Sequence, residues 1–187
     1  GVSIKLDGAT AETAALILCV LILARPQSGI REREVLSEGI DIVLAMDISG
    51  SMKAMDLKPN RLLAAKEVAK SFVEGRQGDR IGLVVFAADS FTQCPLTLDY
   101  GVLRDLIDQV DFGVIEDGTA IGMGIANASN RLKESKAKSK VIILLTDGVN
   151  NAGRVDPVTA ARLAKALGIR IYTVGAGVEG EAPYPVD

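Results

Sequence analysis

The stretch that decides the fold is IDIVLAMDISGS, residues 40–51. Ile40 to Ile48 form an apolar run of strand length rich in β-branched and aliphatic residues, which reads as a strand buried on both faces. Asp47, Ser49 and Ser51 then place an oxygen-bearing side chain at every second position as the chain leaves the sheet. Alternation along an extended chain predicts that all three point to one side.

Working outward, four more strands are expected, at Arg80 to Ala87, Phe91 to Leu96, Lys140 to Thr146 and Ile169 to Val174. Segments of helical period separate them. Arg61 to Glu74 places Leu62, Ala65, Ala69 and Phe72 on one face, with Pro59 and Asn60 as a start signal and Gly75 as a stop. Asp99 caps a second helix with Val102, Leu103, Leu106, Ile107 and Val110 inward, a third runs from Ala120 to about Lys133, and a fourth from Pro157 to Leu167 ends at Gly168. Strands alternating with helices predict an α/β fold: three layers, doubly wound, with a mostly parallel sheet. Pro95 cannot donate to a ladder, so the third strand belongs at an edge, turned antiparallel by a hairpin through Ala88-Asp89-Ser90.

Composition narrows the function. The chain has 187 residues, 48% hydrophobic and only 4% aromatic, so the core is built from aliphatic side chains in one main domain. With 21 basic and 24 acidic residues and a net charge of −3, no basic face for nucleic acid is expected. The densest cationic run, RLKESKAKSK at residues 131–140, reads as a solvated helix end. There is no histidine, which removes Ser-His and Cys-His catalysis and argues against zinc, and the two cysteines, Cys19 and Cys94, make no disulfide framework. Residues 14–24, AALILCVLILA, would cover about 16 Å as a helix against a hydrocarbon core of about 30 Å. Together with Gly at position 1, this predicts the remnant of a transmembrane helix within residues 1–30 of a longer protein, with a core or docking helix and the remnant of a signal peptide as the alternative readings.

The chemistry lies at the strand ends. Thr146-Asp147-Gly148 delivers a second carboxylate at a strand's carboxyl end, and Asp117-Gly118-Thr119 brings a hydroxyl at the start of the third helix. If the first strand neighbours the one ending at Asp147, both acids sit at the topological switch point, where open α/β sheets bind ligands. Taken alone, Thr119 reads as a helix cap and Asp147 as a turn residue. Taken together, Asp47, Ser49, Ser51, Thr119 and Asp147 are five hard oxygen donors, suited to Mg²⁺, with Mn²⁺ or Ca²⁺ also acceptable.

This order, Asp47-x-Ser49-x-Ser51, then Thr119, then Asp147, resembles the metal-ion-dependent adhesion site (MIDAS) of von Willebrand factor A domains, over about residues 38–178. More narrowly, Ala24-Arg25-Pro26-Gln27, Asn60-Arg61-Leu62 and Asp117-Gly118-Thr119-Ala120-Ile121-Gly122 are similar to the Bat aerotolerance-type membrane proteins of bacteria. The resemblance implies that Ser49, Ser51 and Thr119 ligate the ion directly, that Asp47 and Asp147 act directly or through water, and that one position is left for an acidic group of a protein partner. It further implies a non-enzymatic binding domain at residues 38–187 lacking its last strand and helix, tethered to the bacterial inner membrane and working beside a MoxR-type AAA+ ATPase and other Bat-type proteins. The side of the membrane is left open.

The rival readings are weaker. Residues 148–155 have the glycine spacing of a phosphate-binding loop but Arg154-Val155 where Lys-Ser/Thr is needed, and the GAGVEG at 175–180 runs into Pro183 and Pro185 where a dinucleotide fold needs a helix. A metal-assisted phosphoryl-transfer hydrolase built on Asp47 is the alternative from another class, although Ser49 stands where such an enzyme has its acid. A structural membrane subunit is a third.

Overall fold

The computed structural model describes residues 39–178 and 182–185. The apolar segment at residues 14–24 and the rest of residues 1–30 lie outside the described residues. Five strands, β1 (Asp41–Asp47), β2 (Arg80–Phe86), β3 (Ser90–Thr97), β4 (Lys140–Thr146) and β5 (Ile169–Gly175), form one sheet in the order β3-β2-β1-β4-β5. All neighbours are parallel except β2 and β3, which form the antiparallel hairpin, so Pro95 does lie on an edge strand. The register shifts twice along β2–β3, between Ile81 and Leu83 and again before Val84. Gly82 lies in that stretch, where an added Cβ would come within 3.1 Å of the Cys94 carbonyl oxygen.

Every residue of β1 is buried, as its unbroken apolar run requires of a central strand covered on both faces. Ile42, Leu44 and Met46 face one core, with Leu62, Ala65, Ala69 and Val73 of α1 (Arg61–Glu74) and Leu103 and Ile107 of α2 (Tyr100–Asp108). Val43 and Ala45 face the other, with Ile125, Ala128 and Leu132 of α3 (Ile121–Leu132) and Ala160 and Ala164 of α4 (Pro157–Ala166). This is the doubly wound three-layer arrangement expected from the strand and helix pattern.

The helix signals behave as capping chemistry dictates. Asn60, Asp99 and Asp156 accept hydrogen bonds from the backbone N–H of Leu63, Val102 and Thr159, each satisfying a donor the first turn leaves unpaired. Two details differ from expectation. Val102 is 49% exposed because it sits in the first turn of α2, off the stripe of Leu103 and Ile107. In α1 the deeper side chain is Val73, with Phe72 only partly buried beside it.

Close approach of α3 depends on glycine. A Cβ on Gly122 would lie 1.9 Å from the Val155 carbonyl oxygen, and one on Gly124 would lie 2.7 Å from the Phe86 ring. Bare backbone at both points lets α3 settle against β2 and against the start of α4. No helix among the described residues is long and apolar enough to cross a membrane.

Candidate metal centre

Because β1 and β4 are neighbours, Asp47 and Thr146 finish side by side, and the chain turns to opposite sides of the sheet on either side of them. This is the switch-point crevice, and the loops after β1, before α3 and after β4 close on it. The first begins as β1 ends, where Ser49 N–H folds back to donate to Asp47 Oδ1 at 2.9 Å. The chain then enters a 3-10 turn, Gly50–Lys53, so simple strand alternation does not carry Ser51 to its place. The turn does, and it sets Ser51 Oγ 3.1 Å from Ser49 Oγ.

Ser51 Oγ also donates to Asp147 Oδ1 at 2.8 Å, joining residues 96 positions apart. Asp47 is completely buried and its second oxygen accepts from Thr146 Oγ1 at 2.6 Å. Burial pushes the Asp47 carboxyl above the ordinary carboxylate range, against hydrogen bonds from Ser49 and Thr146 that work the other way, with the nearby Asp147 charge adding to the rise.

Thr119 arrives on a loop held from two sides. Its N–H donates to Asn151 Oδ1 at 2.7 Å and its carbonyl accepts from Asn151 N–H at 3.0 Å, while Ala120 N–H donates to the Ala87 carbonyl at 2.7 Å. Thr119 does not cap α3; Ala120 holds the cap position, with no side-chain cap bond. Its hydroxyl instead lies beside Gly148, where an added Cβ would be 3.7 Å from Thr119 Oγ1 and 3.9 Å from Thr146 Oγ1. Gly118, at φ +139°, gives the loop a backbone shape that L side chains rarely adopt.

The five expected residues are thus brought to one crevice. Among the described residues no three carboxylates, thiolates or imidazoles gather to hold a metal. The donor set is two carboxylates and three hydroxyls, all hard oxygen. Thr119 is 4% exposed, and Asn150 Oδ1, three residues past Asp147, is buried without a hydrogen-bond partner among the described residues. A buried oxygen left unbonded carries a desolvation cost that a cation would offset. The residues therefore fit a divalent, oxygen-preferring ion.

Three further residues shape the site. Asp117 Oδ1 accepts from Gly50 N–H at 2.7 Å and from Gly118 N–H at 2.9 Å, tying the 3-10 turn to the Thr119 loop. Arg61 at the start of α1 bonds Asp56 through Nε at 2.8 Å and Nη2 at 3.0 Å, and Asp147 Oδ2 through Nη1 at 2.5 Å. Asp56 lies well below the ordinary carboxylate range because of the Arg61 guanidinium, helped by Val178 N–H. The sequence signal for these was present: Asp117 stands two residues before Thr119, and Arg61 in Asn60-Arg61-Leu62, but a helix-start reading gives Arg61 no reason to turn toward the crevice.

Comparison with known proteins agrees with this geometry. The model of the von Willebrand factor type A domain matches residues 41–184. An aerotolerance-related membrane protein of Bacteroides fragilis is 36% identical with a TM-score of 0.75, over 80% of this chain and 73% of that one. BatB of Bacteroides thetaiotaomicron is 35% identical with a TM-score of 0.70, over 80% and 76%. Proximal thread matrix protein 1 of the mussel byssus, solved with a zinc-occupied MIDAS motif, is 30% identical with a TM-score of 0.64, over 73% of this chain and 35% of that one. An uncharacterized protein of Borreliella burgdorferi is 36% identical over 168 residues, which are 89% of this chain and 49% of that protein, so the chain spans about half the length of the curated relatives it matches. The chain belongs to the von Willebrand factor type A domain family.

Proposed function

We propose that this chain is a metal-dependent protein-interaction module of a membrane-anchored bacterial protein, holding Mg²⁺ through Asp47, Ser49, Ser51, Thr119 and Asp147 and binding a carboxylate of its partner on that ion. The observation that carries the reading is the hydroxyl bridge from Ser49 Oγ through Ser51 Oγ to Asp147 Oδ1, at 3.1 and 2.8 Å, which spans the switch point between β1 and β4. Neutral hydroxyls do not discharge a cation, so it stays electrophilic enough to attract an outside carboxylate. The zinc-occupied motif of the mussel protein supports a divalent ion at the corresponding place here. Val149, 85% exposed and two residues beyond Asp147, offers an apolar contact at the rim for a docked partner.

A binding role accounts for the site better than phosphoryl transfer. A nucleophilic aspartate needs an open face for in-line attack. Asp47 is fully buried, with one oxygen bonded by Ser49 N–H and the other by Thr146 Oγ1. The name of the Bacteroides fragilis relative supports membrane attachment and an aerotolerance role, and, on the resemblance to the Bat proteins, the partner we propose is a MoxR-type AAA+ ATPase.

The test is capture of the purified ATPase by the immobilised chain in Mg²⁺, in EDTA, and with Ser51→Ala. Retention in Mg²⁺ alone, lost in the variant, is expected. Equal retention in all three would refute the metal-dependent reading, and phosphatase turnover that disappears in Asp47→Asn would replace it.

A further inference from the structure

Arg61 is not needed for the fold's core or as a metal ligand, yet it is the best-anchored cation at the site. Its side chain is 14% exposed, and those of Asp56 and Asp147 are 3% and 1% exposed. The fork on Asp56 uses Nε and Nη2, leaving Nη1 aimed at Asp147 Oδ2. Above it, a Cβ on Gly177 would lie 3.2 Å from Cζ, Nε and Nη2, so the backbone at Gly177 packs directly over the guanidinium. Val178 N–H closes the cluster by donating to Asp56 Oδ2 at 2.9 Å. Only a planar group with several fixed donors can hold both acids from this position.

Both oxygens of Asp147 are therefore occupied, Oδ1 by the Ser51 hydroxyl and Oδ2 by Arg61. A carboxylate held on both sides is restrained from swinging onto a cation beside it, and its charge is partly spent on the guanidinium. We infer that Arg61 is a positioning residue that holds Asp147 back from the ion, keeping metal affinity modest and one coordination place open for the partner's carboxylate. This rests on the metal-binding reading above. Removing Arg61 frees Asp147 on its Oδ2 side to turn toward the ion and removes a like charge beside the cation, and both changes favour metal binding, the more so because Asp56 loses its cationic partner.

The experiment is calorimetric titration of Mn²⁺ and Mg²⁺ into the full chain, with and without sodium acetate as the carboxylate probe. Arg61→Met is expected to bind metal on the order of tenfold more tightly and to lose the tightening by acetate that the wild type shows. Asp56→Asn, which leaves the guanidinium uncompensated beside Asp147, is expected to move affinity the other way, about threefold to tenfold weaker. Arg61→Lys, which keeps the charge but cannot bridge both acids, should tighten metal binding, by less than Arg61→Met does. Arg61→Met binding metal equally or more weakly, or both neutralising variants shifting in the same direction, would overturn the inference while leaving the site intact. A wild type that binds neither metal would remove the underlying reading as well. If Arg61→Met does not fold, the Asp56→Asn and Arg61→Lys arms still decide the sign.

Discussion

Asp47→Asn gives the sharpest prediction because it should change sign with metal. Asp47 is completely buried, and burial raises its carboxyl above the ordinary value. A group whose folded pKa is raised contributes stability that is fully present below its unfolded pKa, about 3.9, and is lost as pH rises through the folded value. At neutral pH without metal, an acid at this buried position therefore costs stability relative to a neutral side chain. Asparagine has nearly the same shape and keeps an oxygen for Ser49 N–H, and its amide can donate to Thr146 Oγ1 in place of the bond that Thr146 donates to Asp47, so it removes that cost for one exchanged hydrogen bond. With metal the balance reverses. A cation at a hundred times its Kd stabilises the folded state by about 2.7 kcal/mol, or roughly 5–11 °C in Tm for a domain of this size. The variant gives up one of the two acidic donors and should gain less than about 2 °C under the same conditions. Calorimetric melts at pH 7 in EDTA and in saturating Mg²⁺ read both. The variant should melt at or above wild type in EDTA, below it in Mg²⁺, and lose its EDTA advantage near pH 3. An Asn variant less stable by the same margin in EDTA and in Mg²⁺ would show that Asp47 is only structural.

Gly122→Ala should destabilise by about 1–3 kcal/mol, lowering Tm by roughly 2–12 °C, since its Cβ would come 1.9 Å from the Val155 carbonyl oxygen; a melt within 1 °C or so of wild type would mean α3 and α4 are not packed as described. Asp56 is held far below its usual range by Arg61, so its contribution is present above about pH 4 and lost as pH falls toward the folded value. The Tm gap between wild type and Asp56→Asn should therefore be open at pH 7 and close on acidification below pH 4 or so; a gap independent of pH would contradict the ion pair. Asn60→Ala should cost about 1 kcal/mol by leaving the Leu63 N–H without its cap, read from denaturant midpoints at unchanged slope.

The fold was legible because its signals are local and redundant. Five apolar runs, Pro95 on one of them, and the caps Asn60, Asp99 and Asp156 each report one element from a few neighbouring residues, and the alternation of strand and helix leaves few topologies. Register is not local, so the shifts along β2–β3 and the exposure of Val102 beside buried Leu103 could not be read in advance.

The site divides the same way. Five oxygen-bearing residues could be named from spacing, but the reason they converge differs from alternation: Ser51 is placed by the 3-10 turn, and Thr119 by its clasp with Asn151, 32 residues downstream. Arg61, Asp56 and Asp117 act through contacts that exist only once the loops have closed. Such supporting residues carry no pattern of their own.

In the proposed site Ser49, Ser51 and Thr119 share one cation. Crystals grown with Mn²⁺ and measured at an energy where manganese scatters anomalously test it directly. A single strong peak is expected roughly 2.1 Å from all three hydroxyl oxygens, with the Asp47 and Asp147 carboxylates touching the ion or separated from it by one water. A peak elsewhere on the molecule, or none at millimolar Mn²⁺, would contradict it.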